Sequence, residues 1–187
     1  MEANKIPQLR IAITYPCEKA CVYCRPGGEA VSSRPSKEMT ADQINSLVTT
    51  ITKHGVRDIK LTGGDPILRP DIVDIVRSLK SNPGVRDVEL VTRHANAGKL
   101  VDQLKNAGLD CLNFSLDSLD AKTWSEITRT KGHEMLMEAI WAAADSEISL
   151  KINTVVIKGV NDHEIANLIE FAGRLKFEFR QTSVTRP

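Results

Sequence analysis

The sequence has almost no excess charge of either sign: 25 Lys and Arg stand against 24 Asp and Glu, a formal net charge of +1. That balance excludes the broad basic field with which a protein gathers nucleic acid or an anionic membrane surface. Long apolar runs are missing as well. No stretch approaches the roughly 18 apolar residues of a membrane span, and no apolar signal-peptide core follows Met1-Glu2-Ala3-Asn4-Lys5. The four cysteines are too few and too clustered for a disulfide framework. These absences predict a soluble cytoplasmic protein whose partners are small molecules, with no nucleic acid and no membrane. At 187 residues and 41% hydrophobic content the chain can bury one core, so residues 1–187 are expected to form a single domain.

From about Leu9 onward, β-branched runs alternate with segments of helical period, at a repeat of roughly 30 residues that matches a βα unit. Strands are predicted at Leu9 to Thr14, Asp58 to Thr62, Val88 to Thr92, Cys111 to Ser115, Leu150 to Ile157 and Lys176 to Arg180. They read as continuous apolar runs, the pattern of parallel strands covered by helices. Thr40 and Gln43 form a capping box ahead of Ile44, Leu47, Val48 and Ile51, a stripe that turns one helical face to the sheet. The same spacing recurs at Ile72, Ile75, Val76 and Leu79, and at Ile165, Leu168, Ile169 and Ala172. Shorter stripes run through Leu100, Val101 and Leu104 and through Met135, Leu136, Ala139 and Ile140. Right-handed crossovers turn such a string into either a curved barrel wall or an open doubly wound sheet, and the pattern does not separate them. In both, the loops leaving the carboxyl ends of the strands converge where ligands bind.

Three cysteines fall in one such loop. Cys17-Glu-Lys-Ala-Cys21-Val-Tyr-Cys24 is a C-x3-C-x2-C segment just past the first strand, with Pro16, Pro26, Gly27 and Gly28 opposing a regular helix. Thiolates are the usual ligands of iron-sulfur clusters, and a cubane served by three would keep one iron open to substrate or cofactor. The alternatives are a zinc knot, closed by a histidine or a fourth cysteine, and a redox or incidental set of thiols. His54, His94, His133 and His163 are scattered through helices and loops and read as solvated or helix-end residues. Cys111, in an apolar run, reads as a small core residue.

The cysteine loop after the first strand, together with Gly63-Gly64-Asp65-Pro66 after the second, resembles the radical S-adenosylmethionine superfamily. The resemblance implies a partial (β/α)6 TIM-like barrel, an α/β fold. It implies a 4Fe-4S cluster held by Cys17, Cys21 and Cys24, with S-adenosylmethionine chelating the fourth iron through its amino and carboxylate groups. An electron from the reduced cluster would break a carbon-sulfur bond of the sulfonium and release a 5'-deoxyadenosyl radical. The protein then supplies orientation and exclusion of water. Gly63 and Gly64 would bring backbone close to the methionine amino group, and Asp65, where the superfamily usually has Glu, would supply negative charge. Tyr23 would lie beside the adenine and Ser115 would contact the cofactor.

Within the superfamily the chain is most similar to the GTP 3',8-cyclase (MoaA-type) family that starts molybdenum-cofactor synthesis. Matching stretches are Leu9 to Ile11, Cys17 to Cys24, Lys60 to Pro66, Asn113 to Asp120, and Lys151 to Asn153 continuing to Gly159-Val160-Asn161-Asp162. The similarity aligns Arg10, Lys60 and Lys151 with residues that hold a nucleotide triphosphate, a role that suits three converging cations. It implies GTP as substrate and a reductant protein such as flavodoxin or ferredoxin. The family's second cysteine triplet, in a carboxyl-terminal region, has no counterpart here. Gln181 to Pro187 depart from the family's continuation, and Val91-Thr92-Arg93-His94 stands where the family has Thr-Thr-Asn-Gly. A truncated or frame-altered cyclase, a compact relative with another substrate, and a paralogue that binds a cluster without turnover all fit. A barrel open on that side is expected to be covered by a partner or a second copy, as in a homo-oligomer.

Overall fold

The computed structural model describes residues 8–24, 38–146 and 148–184; Pro26, Gly27, Gly28 and the last three residues lie outside these. Six strands, β1 (Leu9–Thr14), β2 (Asp58–Gly63), β3 (Asp87–Thr92), β4 (Cys111–Ser115), β5 (Ser149–Ile157) and β6 (Glu178–Val184), alternate with helices. The helices are α1 (Ala41–Thr52), α2 (Ile72–Lys80), α3 (Ala97–Asn106), α4 (Ala121–Thr128), α5 (His133–Ala144) and α6 (Ile165–Arg174). All neighbouring strands pair in parallel, in the order β1-β2-β3-β4-β5-β6. Each new strand therefore joins the same edge. With right-handed crossovers this places the helices on one face and curls the sheet into an open barrel wall, whereas a doubly wound sheet needs its order to reverse. The partial (β/α)6 barrel is the fold, with β1 and β6 as its edges.

Side chains on a strand alternate between faces. Ile59 and Leu61, Val88 and Leu90, Leu112 and Phe114, and Leu150 and Ile152 enter one apolar core with the inward stripes of the helices. Lys60, Glu89, Asn113 and Lys151 occupy the intervening positions, on the concave face. The strands are thus not the uniformly apolar runs expected from sequence. A sheet covered on both faces requires such runs, but a barrel wall keeps one face for a chamber.

The capping box that opens α1 is present, with Gln43 N donating to Thr40 Oγ1 at 3.2 Å and Thr40 N to Gln43 Oε1 at 2.9 Å. Ile44 and Val48 are fully buried, while Leu47, Met135 and Ile169, expected to face inward, lie exposed at the margins of their stripes. Helix α4 was not foreseen. Asp120 caps it by accepting from Thr123 N at 2.7 Å, and Trp124 and Ile127 bury its inner face. The last strand begins two residues later than predicted, because Lys176 takes a left-handed turn (φ 59°) directly after α6. No helix among the described residues is long and apolar enough to cross a membrane.

Candidate functional site

Two backbone attachments hold the cysteine loop over the carboxyl ends of the strands. On one side Gly64 N donates to Thr14 O and Asp65 N to Pro16 O, each at 2.8 Å. A methyl group on Gly63 would meet Thr14 O at 2.2 Å, and one on Gly64 would meet Pro16 O at 2.0 Å. The glycines are therefore required for the close approach of the cysteine loop to β2, and Gly63 also has φ 142°. On the other side Ala20 N donates to Thr128 O at 3.1 Å and Val22 N to Ile127 O at 2.9 Å, which uses carbonyls at the end of α4 that have no partner within the helix. Lys19 Nζ also lies 5.4 Å from the centre of the Trp124 ring.

The loop so held brings Cys17, Cys21 and Cys24 to the wall of one cavity of about 180 Å³, shared with Thr62, Gly63, Gly64, Asp65, Arg93 and Ser115. Six of the residues predicted from sequence meet there besides Cys21. Asp65 is buried; its Oδ1 accepts from Thr92 Oγ1 at 2.7 Å and Ile67 N at 3.2 Å, and its Oδ2 from Arg93 N at 3.0 Å. Burial pushes this carboxyl up, opposed by the Arg93 N–H and the Thr92 hydroxyl. Asp65 thus ties the ends of β2 and β3 together as well as lining the cavity.

Tyr23 turns its hydroxyl to Asp117, donating to Oδ2 at 2.7 Å, and accepts from Arg93 Nη2 at 2.7 Å. Burial pushes the Tyr23 hydroxyl well up. Arg93 Nη1 also donates to Asp117 Oδ2 at 3.2 Å and to Cys21 Sγ at 2.8 Å. Burial pushes the Cys21 thiol up, and the Arg93 charge opposes this more strongly than Asp117 reinforces it. Asp117 is fully buried and accepts from Val155 N at 3.0 Å. Asn161 steadies the same loop by donating to Asp117 O at 2.6 Å. Sequence reading found Arg93 only as a departure from a family pattern; a cation following a strand end beside the glycine loop was the one signal available.

The three cations expected to bind phosphate lie away from the thiol cavity. Lys60 and Lys151 stand deeper on the concave face and close on the fully buried Glu89: Lys60 Nζ lies 2.5 Å from Oε1 and Lys151 Nζ 3.2 Å from Oε2. Asn113 Nδ2 donates to Glu89 Oε1 at 2.7 Å. Burial alone would raise the Glu89 carboxyl, yet the bonds from Lys60 and Asn113 and the charges of both lysines hold it at about 2. Arg10, beside Lys60 in register, is exposed. Glu89 had no place in the sequence reading. Cys111 is buried, as expected of a small core residue, but outside the main hydrophobic cluster: it shares the concave face with Asn113, borders a cavity with Lys151 at the amino ends of the strands, and burial pushes its thiol up to about 12. His133, expected to be solvated or at a helix end, opens α5 but is buried edge-on against Trp124, with Nε2 3.1 Å from Ser118 O.

The donor set tests which inorganic group fits. Among the described residues no three His, Cys, Asp or Glu side chains converge enough to hold a single ion. Three thiols on the wall of one cavity fit a cubane cluster, whose fourth corner they leave to another ligand.

Sequential parallel strands, with three loop thiols around a cavity at their carboxyl ends, define a partial α/β barrel built to hold a cluster. The sequence matches the Radical SAM superfamily over residues 11–172, and the chain belongs to that superfamily, whose cofactors are a 4Fe-4S cluster and S-adenosylmethionine. It is 38% identical over 170 residues to the probable GTP 3',8-cyclase of Pyrococcus horikoshii, covering 91% of this chain and 53% of that protein. It is 37% identical over 171 residues to the GTP 3',8-cyclase of Pseudomonas fluorescens, covering 90% and 51%. It is also 37% identical over 174 residues to molybdenum cofactor biosynthesis protein 1 of Bos taurus, covering 92% and 27%. The chain spans about half the length of the two cyclases and about a quarter of the bovine protein. Among solved structures, Streptococcus suis SuiB bound to S-adenosylmethionine aligns with TM-score 0.79 at 18% identity, over 98% of this chain and 42% of that one. Methylornithine synthase PylB aligns with TM-score 0.70 at 16% identity, over 94% and 52%. These two share the fold.

Proposed function

We propose that this chain is the core domain of a radical S-adenosylmethionine enzyme of GTP 3',8-cyclase type, acting in molybdenum-cofactor synthesis. The observation that carries the reading is the meeting of Cys17, Cys21 and Cys24 with Gly63, Gly64, Asp65 and Ser115 around one cavity. In this reading the three cysteines hold the cluster, and the bound cofactors supply a one-electron cleavage of the sulfonium that yields a 5'-deoxyadenosyl radical. Ser115 and the backbone at Gly63 and Gly64 seat S-adenosylmethionine, and Tyr23, fixed by Asp117 and Arg93, borders the adenine. Asn113 Oδ1, buried without a hydrogen-bond partner among the described residues, offers an acceptor toward the chamber. A flavodoxin or ferredoxin suits the role of electron donor, and a second copy could cover the open edge at β6.

GTP is the proposed substrate on the similarity to the cyclases, with Arg10, Lys60 and Lys151 facing its phosphates. One observation favours a second reading, a relative acting on a less anionic molecule: Glu89 already neutralises much of the charge of Lys60 and Lys151. Anaerobic reconstitution with iron and sulfide, reduction, and addition of S-adenosylmethionine tests the main claim. Release of 5'-deoxyadenosine is expected; a protein that retains zinc without sulfide and cleaves nothing refutes it. Adding GTP and assaying for cyclised product separates the two readings, the second being favoured by cofactor cleavage without cyclised nucleotide.

A further inference from the structure

Arg93 reaches a thiol directly, by a bond to Cys21 Sγ, and the reading above uses it only to fix Tyr23. Arg93 follows the last residue of β3, and its side chain is only 14% exposed. Its backbone N–H is fixed on Asp65 Oδ2 at 3.0 Å, so the side chain starts from an anchored point at the cavity rim. The guanidinium then spans three groups: Nη1 reaches Cys21 Sγ at 2.8 Å and Asp117 Oδ2 at 3.2 Å, and Nη2 reaches the Tyr23 hydroxyl at 2.7 Å. Asp117 has its own support from Val155 N and Asn161, so the fork is held from behind by a rigid loop. A planar guanidinium with several donors can serve a sulfur and an oxygen at once; an ammonium cannot reproduce that geometry.

Resting on the cluster reading above, we infer that Arg93 is a positioning residue that raises the reduction potential of the cluster by donating a hydrogen bond to the ligating sulfur of Cys21. One electron, delivered by a flavodoxin- or ferredoxin-class donor that is thereby oxidised by one electron, adds negative charge to the cluster and its thiolates. A hydrogen bond and a positive charge at one thiolate stabilise the reduced form more than the oxidised one, and hydrogen bonds to sulfur together with net charge set such potentials. The second arm of the fork fixes Tyr23, so electron acceptance and the adenine-side wall share one side chain.

The test compares wild type, Arg93→Gln and Arg93→Lys after anaerobic reconstitution, with iron and sulfide analysis and a midpoint potential from an EPR-monitored titration. Arg93→Gln is expected to load as much iron and sulfide as wild type. Its equilibrium constant for one-electron reduction should fall at least tenfold, a shift of about 59 mV to lower potential. Arg93→Lys, which keeps the charge without the fork, is expected in between. In wild type labelled with 15N-arginine, pulsed EPR of the reduced cluster should show a 15N coupling that Arg93→Lys lacks; this measurement stands even if Arg93→Gln does not fold. Equal potentials in loaded wild type and Arg93→Gln, or no arginine coupling in loaded wild type, overturns the inference alone. A wild-type protein that retains no iron and sulfide overturns the proposed function and the inference with it.

Discussion

At the carboxyl ends of the strands, Thr62 and Ser115 border a cavity onto which three thiols open. Two residues deeper on β2 and β4, about 7 Å by strand rise, Lys60 and Asn113 close, together with Lys151 of β5, around the carboxylate of Glu89. The upper layer is held from outside, by backbone bonds to β2 and α4, and its thiols line a cavity, Cys21 taking a bond from Arg93. The lower layer is held from within, each charge answering another. The difference separates two uses of buried polarity. A site for a cofactor spends structure to keep donors apart, whereas a self-neutralised network removes the cost of burying its own charges.

The sharpest contrast is between Cys21→Ala and Cys111→Ala, whose sulfurs belong to opposite ends of the strands. Reconstituted Cys21→Ala is expected to lose essentially all cluster iron and sulfide, and Cys111→Ala to keep them; iron retained by Cys21→Ala would break the comparison at its upper layer.

Next comes the attachment that keeps that layer open. Gly64→Ala places a methyl group 2.0 Å from Pro16 O, backbone that cannot step aside without undocking the cysteine loop. A loss of roughly 4 kcal/mol in urea unfolding is expected, near the top of the range for one substitution, together with poor cluster loading. A fully stable Gly64→Ala with normal iron would show that the loop is held by other contacts.

The smallest effect sharpens the lower layer. Glu89 is held at about 2 against an ordinary 4.5, so it contributes roughly 3 kcal/mol at neutral pH. Because the folded carboxyl titrates below its ordinary value, that contribution is complete above pH 4.5 and fades as pH falls toward 2. Urea unfolding of the apoprotein followed from pH 6 down to pH 3 should show the loss in wild type and a flatter profile in Glu89→Gln. Parallel profiles would mean that the lysines do not depend on this carboxylate.

Much of this was legible beforehand. The cysteine loop past β1 and the glycine pair at the end of β2 were placed to within one residue, Gly63 proving to be the last residue of that strand, because each is a local pattern of a few residues. The capping box at Thr40 was legible for the same reason. Arg93, Glu89 and α4 were not. Arg93 lies 72 residues from Cys21, and Glu89 lies 29 from Lys60 and 62 from Lys151, so no window of sequence contains these pairs. The role of α4 comes from two carbonyls at its end meeting the amides of Ala20 and Val22, a contact invisible to periodicity. The glycines were found, but the collision they avoid is with Thr14 and Pro16 backbone, known only once β1 and β2 are paired.

The sequence by itself determined the alternation of strands and helices, the thiol spacing and the placement of both loops at strand ends, since these follow from local propensity and chain order. Only the tertiary structure decided that the strands run in unbroken order, that one face of the sheet is polar, and which cation meets Cys21 and which meet Glu89. Those outcomes depend on strand register and crossover direction, which bring together residues far apart in the chain and act through distances of a few ångströms.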